Sequence, residues 1–204
     1  MYIIQYVIKI LLIRNEYRPE QFAPIGGVFK YFSSAKELLN RLYFKAEVRS
    51  GNIPDLKHDL RGFIPGKSLP EFIRWFMSGK QREVEPLTRE LIEGLNEIGL
   101  DAKPFMDEPF KFELVRPIYE GPRSVPGVAY MQFRFMQIYQ FSPDCKSGQK
   151  LMTVLFDEVA HNHNLISATG EEIRKRRAST GERIGEHSCY LVGDEKTCAE
   201  PAPF

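Results

Sequence analysis

The stretch from Pro86 to Leu100 constrains the fold most, because only a helix gives its side chains a coherent distribution. Leu87, Leu91, Leu95 and Ile98 recur at helical spacing and form one apolar face. Glu90, Glu93 and Glu97, at i, i+3 and i+7, form a second stripe. A helix of this kind must bury its leucine face against a sheet or other helices, so the chain needs a layered core around it. The carboxylate stripe has two readings. It is a solvated face, as on most amphipathic helices. Alternatively it is a site for a hard cation such as Mg²⁺ or Mn²⁺, which prefers oxygen ligands and bridges phosphates.

The rest of the chain supplies strands. Residues 2 to 14 are rich in Ile, Val, Leu and Tyr and read as one buried strand, interrupted by Gln5 and Lys9 and too short to cross a bilayer. Pro24-Ile25-Gly26-Gly27 is a turn or a place where backbone comes close to a ligand. Ser33 or Ser34 is expected to cap a short helix through Leu39, and the alternation from Arg41 to Arg49 predicts a strand. Asp59 and Arg61 read as local structure. Leu69–Met77 predicts a helix with Pro70 in its first turn.

After Leu100, strands are expected from Lys111, from Val128 to Phe141 and from Leu151 to Phe156. His161 and His163 would share a side in a strand, as a metal pair does, but they lack a third ligand and have polar neighbours, which favours an exposed loop. Thr169-Gly170-Glu171-Glu172 has the form of a capping box opening a helix that ends in Arg174-Lys175-Arg176-Arg177. That basic run complements the helix's own C-terminal dipole or holds a phosphate. Ile184 to Val192 is a final helix or extended segment, and the tail from about 193 is expected to fray. Strands interspersed with a few helices make an α/β or α+β unit.

Charge and cysteine usage narrow the function. The 204 residues carry 28 basic and 27 acidic side chains, a formal charge of +1, which gives no bulk attraction for long nucleic acid or an anionic membrane. Cys145, Cys189 and Cys198 are odd in number and lack metal-ligand spacing, so neither a disulfide framework nor a zinc site is expected. A reducing cytoplasm is the expected location.

Arg89-Glu90-Leu91-Ile92-Glu93, with Pro24-Ile25-Gly26-Gly27 upstream, resembles the box of the Nudix hydrolases, which runs Arg-Glu-(apolar)-x-Glu-Glu-x-Gly-(apolar). Gly94 stands where the second paired Glu belongs, and Glu97-Ile98-Gly99-Leu100 repeats the Glu-x-Gly-(apolar) ending three residues late. Between Gly27 and Arg89 lie 61 residues, 28 to 88. A box split in this way, together with Asp59-Leu60-Arg61-Gly62-Phe63-Ile64-Pro65, Phe72-Ile73-Arg74-Trp75-Phe76 and the late His187-Ser188-Cys189-Tyr190-Leu191, is similar to the Nudix domains associated with bacterial CD-NTases, the cyclic-oligonucleotide synthases of CBASS antiphage defence.

The resemblance implies a single Nudix-like domain over 1–204, a mixed β-sheet sandwiched by helices with an insertion at about 31–80 inside the box. It implies Mg²⁺ or Mn²⁺ on Glu93, Glu97 and Glu90, Arg89 orienting the carboxylates, Glu90 as the base, and Gly26 and Gly27 against the ligand. The expected function is sensing of a nucleotide or cyclic oligonucleotide signal, with a functional link to a CD-NTase. Hydrolysis of a nucleoside diphosphate-linked compound is the alternative. Relatives usually carry two transmembrane helices ahead of the Nudix part; none is expected in this chain, and membrane association would come through a missing segment or a partner.

Overall fold

The computed structural model describes residues 2–3, 5–6, 9–16, 18–47, 58–80, 82–84, 87–105 and 107–193. The fold is mixed α+β, with curled sheets and several helices. The chain divides into two compact units, one formed by Met1–Gly26 with Glu90–Phe204 and the other by Gly27–Arg89.

The first unit is built on β3 (Lys9–Asn15), in which Ile10, Leu11, Leu12 and Ile13 are all buried. A strand buried on both faces needs cover on both sides. Its sheet has the order β11 (Leu165–Thr169), β3, β4 (Arg18–Ala23) and β12 (Arg183–Ile184), with β2 (Gln5–Tyr6) also paired to β3. β12 runs parallel to β4, whereas β11, β2 and β4 are antiparallel to β3. A second sheet has the order β1 (Tyr2–Ile3), β10 (Met131–Ser142), β9 (Lys111–Ser124). Ile10 and Leu12 of β3 share a core with Ile118 of β9, Ile138 of β10, Phe22 and Ile173, so the two sheets enclose one apolar layer. Each such side chain contributes about 1.5–3 kcal/mol on full burial.

The expected single strand over 2–14 is three pieces. Tyr2-Ile3 pairs parallel with Tyr139-Gln140 in one sheet, whereas Gln5-Tyr6 folds back on Lys9-Ile10 in the other. The expected strand at Leu151–Phe156 is part of helix α4 (Lys146–Glu158). Leu151, Met152 and Leu155 are buried there together with Ser147 and Gly148, which is helical periodicity. Cys145 caps that helix, its Sγ accepting from the Gly148 N–H at 3.3 Å. The histidine pair lies in the turn after α4, with His161 and His163 exposed. The capping box is present: Thr169 Oγ1 accepts from Glu172 N, and the Glu172 carboxylate accepts from Thr169 N at 2.7 Å, opening α5 (Gly170–Lys175).

The second unit has an aromatic core. Phe29 meets Phe76 edge-on at 5.0 Å, and Phe72 stacks with Phe44 at 6.1 Å and Phe76 at 6.3 Å. Helix α1 (Lys36–Arg41) follows a 3-10 turn at Ser33–Ala35 that has no serine side-chain cap, contrary to expectation. The strand expected over Arg41–Arg49 shrinks to β6 (Lys45–Ala46), paired with β7 (Gly62–Phe63), because Arg41 ends α1 and Tyr43 takes a left-handed φ of 57°. Residues 48 and 49 of that run lie outside the described residues. Gly62 is required at this pairing, since a Cβ there would stand 2.3 Å from the Lys45 carbonyl oxygen. Helix α2 (Leu69–Met77) carries Pro70 in its first turn as expected. Asp59 is buried, and its carboxylate accepts from the backbone N–H and the guanidinium of Arg61, a local role as expected. Strand β8 (Arg82–Val84) pairs with β5 (Phe29–Tyr31). Beyond Gly193, the tail expected to fray lies outside the described residues.

A polar network ties the C-terminal segment to the second sheet of the first unit. Buried Glu120 accepts from the Tyr190 hydroxyl and lies 3.3 Å from Arg134 Nη1, which also donates to His187 Nε2. Burial, then the adjacent Arg134 charge, holds the His187 imidazole below its usual range, although Glu186 and Glu120 pull the other way. The unfolded chain takes up a proton near pH 6.5. Between that value and the depressed native one the unfolded state holds more protons, so stability falls as pH drops below about 6.5. We expect the urea midpoint to fall between pH 7.5 and 5.5 and to fall less in His187→Gln. Equal falls in the two proteins would show that His187 is not the titrating group.

Candidate functional site

Helix α3 (Leu87–Glu97) runs without a break through Gly94. It ends in a Schellman arrangement: Leu100 N–H donates to Leu95 O and Gly99 N–H to Asn96 O, both at 2.9 Å, with Gly99 at φ 82°. Asn162 Nδ2 then donates to the Ile98 carbonyl at 3.0 Å. The late Glu-Ile-Gly-Leu is therefore a helix stop, and Glu97 occupies the last helical turn. Leu91, Gly94, Leu95 and Ile98 are buried, whereas Glu93 and Glu97 are exposed and Glu90 is half-buried.

Gly94 is buried because the helix lies close to the chain leaving β4. A Cβ at this position would stand 2.9 Å from Ile25 Cγ2 and 3.6 Å from Ile13 Cδ1. No side chain fits there without displacing Ile25.

The same close approach shapes a cleft of about 280 Å³. Its walls are the end of β3 (Ile13 to Glu16), the Ala23-Pro24-Ile25-Gly26 turn, and Gly94 and Glu97 of α3. The helix and the Pro-Ile-Gly turn, 61 or more residues apart in sequence, both line this cleft. Of the two glycines, Gly26 lines the cleft, whereas Gly27 begins the other unit and is not part of the wall. Arg89, Glu90 and Glu93 lie on α3 but outside the lining.

The cleft is acidic at one end. Partial burial, followed by repulsion from Glu16 and then from Glu93, raises the affinity of the Glu97 carboxylate for its proton above the usual value. Among the described residues, Arg14 supplies the guanidinium that lines the cleft, and its donors serve structure. Nε donates to Asn164 Oδ1 at 2.9 Å, Nη1 to Pro19 O at 2.6 Å and Nη2 to His163 O at 2.8 Å, with the group 4.7 Å from the Phe22 ring centroid. Asn15 Oδ1 accepts from Arg18 N at 3.0 Å. Glu16 was not a candidate from the sequence, where it stands at the end of a strand 77 residues before Glu93.

Glu16, Glu93 and Glu97 offer the oxygen donors that Mg²⁺ or Mn²⁺ requires, and the repulsion that Glu16 and Glu93 exert on Glu97 is what a cation relieves. Among the described residues, however, no three His, Cys, Asp or Glu side chains are assembled as a ligand set.

The family model of the SMODS-associated NUDIX domain matches residues 1–192. The chain belongs to this family of CD-NTase-associated Nudix domains. Searches of curated proteins and of solved structures gave no significant match. In this SMODS-associated Nudix domain, the position resembling the second paired Glu of the box is therefore a packing position, filled by Gly94 against Ile25.

Restoring a carboxylate by Gly94→Glu is expected to destabilise the domain by roughly 1–3 kcal/mol, the scale of core overpacking. Gly94→Ala should lose less, and its cost should shrink in an Ile25→Ala background, which removes the opposing Cγ1 and Cγ2, as read by urea denaturation. A Gly94→Glu variant as stable as wild type would show that Ile25 yields freely and that the packing account is wrong.

Proposed function

We propose that this SMODS-associated Nudix domain binds a nucleotide or cyclic oligonucleotide as a signal in CD-NTase-linked antiphage defence. The observation that carries this reading is the packing of Gly94 on Ile25, which denies the helix one of the box carboxylates that turnover employs. The cleft between Gly26 and Glu97 remains, so a binding site is retained where the catalytic set is depleted. We read residues 1–204 as a single Nudix-like domain, with about 31–80 inserted within the box. The near-neutral charge supports a small ligand over long nucleic acid. Among the described residues no helix is long and apolar enough to cross a membrane. The odd number of cysteines, without metal-ligand spacing, supports a cytoplasmic location.

The unbroken course of α3 to Glu97 favours a second reading, metal-dependent hydrolysis of a nucleoside diphosphate-linked compound. Here Glu93, Glu97 and Glu90 would hold Mg²⁺ or Mn²⁺, and the ion would supply Lewis-acid polarisation of a phosphoryl oxygen. Arg89 would orient the carboxylates through charge-assisted hydrogen bonds, and Glu90 would accept the proton of the attacking nucleophile.

Incubation with Mg²⁺ or Mn²⁺ and a panel of dinucleoside polyphosphates, nucleotide sugars and cyclic oligonucleotides, with turnover and binding followed together, separates the two. We expect binding without product and weaker binding in Glu97→Gln when the cation is present. Turnover abolished by Glu93→Gln would establish the hydrolase instead, and failure of every nucleotide to bind would remove both readings.

A further inference from the structure

The dipole of α5 accounts for Arg174 and Lys175 in its last turn, but not for the arginines that follow. The chain leaves the helix through Arg176 in the left-handed region at φ 56° and turns back, so that Arg177 bridges Arg183 in antiparallel register. Ala178 N–H donates to Glu182 O at 2.9 Å and Ile184 N–H to Arg176 O at 3.0 Å. These two bonds flank the 177–183 pair, which makes it the non-hydrogen-bonded type, in which opposed residues stand closest and share a face. Two arginines thus stand directly opposite one another on one face of a hairpin, an arrangement that is unfavourable between like charges.

The hairpin is held rigidly in this form. Glu172 Oε1 accepts from Ser179 N at 2.7 Å, the Thr180 hydroxyl donates to Glu182, and Gly181 N–H closes the turn onto Ala178 O at 2.9 Å. The hydrogen bond from Thr169 N and those from Ser179 hold the Glu172 carboxyl at about 2, so it stays ionised and in place. The nearby carboxylates are engaged elsewhere: Glu171 pairs with Lys175 at 2.6 Å, Glu182 accepts from Thr180, and Glu186 lies 3.9 Å from Arg176. Among the described residues, neither Arg177 nor Arg183 has an acidic partner, and both are exposed.

We propose that the Arg177–Arg183 hairpin is a binding site for a soluble di- or polyphosphate group, separate from the cleft beside α3. Paired guanidinium forks fit phosphate oxygens bidentately, and an anion between them converts the repulsion of the pair into attraction. The site needs no metal ion, which distinguishes it from the carboxylate-lined cleft.

Calorimetric titration of the full chain with pyrophosphate in EDTA tests this. Binding is expected at 50 mM salt and should weaken at 300 mM. The double variant Arg177→Gln/Arg183→Gln should bind at least tenfold more weakly, while Arg174→Gln changes affinity less than threefold and Glu97→Gln leaves it unchanged. The double variant should also match or exceed wild type in thermal stability, because a repulsion has been removed. Absence of pyrophosphate binding to wild type, or stepwise equal losses for each arginine removed including Arg174, would overturn the site. Co-sedimentation with phosphatidylglycerol vesicles in the absence of pyrophosphate binding would overturn the soluble ligand and assign the pair to a lipid headgroup.

Discussion

The contact of Gly94 with Ile25 governs the geometry around the cleft. With no side chain at Gly94, α3 descends onto the chain leaving β4 until Ile25 Cγ2 fills the space a Cβ would occupy. Three consequences share that cause. The helix is seated on Ile13 and Ile25, the Pro24-Ile25-Gly26 turn is held against it, and the space left at the end of β3 becomes the cleft. Interiors packed to crystal density do not absorb an added methyl group without movement elsewhere, so one residue decides both the packing and the loss of a carboxylate. A glycine within a helix is unfavourable by about 0.8–1 kcal/mol relative to alanine. Its presence in the middle of α3 is explained by the close approach it allows.

At the other side of β3 the constraint is electrostatic. Ile10 and Leu12 face Ile118 and Ile138 across an apolar layer, and the second sheet carries Glu120 buried beside that layer. A buried carboxylate requires partners, and Tyr190 and Arg134 supply them. Because Tyr190 and His187 belong to the 3-10 turn at Glu186–Leu191, satisfying Glu120 also fastens the C-terminal segment over the core. Removing one partner would leave a charge without compensation, whereas the intact set fixes a single arrangement of the β9–β10 hairpin and the turn.

What could be read from the sequence follows from the range of the interactions involved. The α3 leucine face, the Thr169–Glu172 capping box, the Pro70 helix start and the Asp59–Arg61 pair are local and were legible. Leu151–Phe156 was not, because six apolar-rich residues suit strand and helix alike. The decision lies with the Cys145 cap and with Gly148, where an added Cβ would stand 3.1 Å from Pro143 Cα. The antiparallel pairing of Gln5-Tyr6 with Lys9-Ile10 was equally hidden, since an apolar-rich run suits either sheet. In the candidate site the helix and the glycine turn were legible as motifs. Glu16 was not, because its approach to Glu97 depends on how β3 ends beneath α3.

Near-neutral overall charge conceals a local separation of sign with consequences for any phosphate ligand. Glu16 and Glu97 line one end of the cleft, with Glu93 adding its charge next to Glu97, and the Arg14 guanidinium there is occupied by the Asn164 side chain and by backbone carbonyls. A phosphate entering that end therefore meets repulsion unless a divalent cation accompanies it or the base and sugar, not the phosphate, take the acidic end. At the Arg177–Arg183 hairpin the balance is reversed: phosphate is attracted directly, and a divalent cation competes with the arginines for it. Phosphate recognition at the cleft should thus require a cation and recognition at the hairpin should be opposed by one, so the sign of the metal dependence identifies which site a given nucleotide occupies.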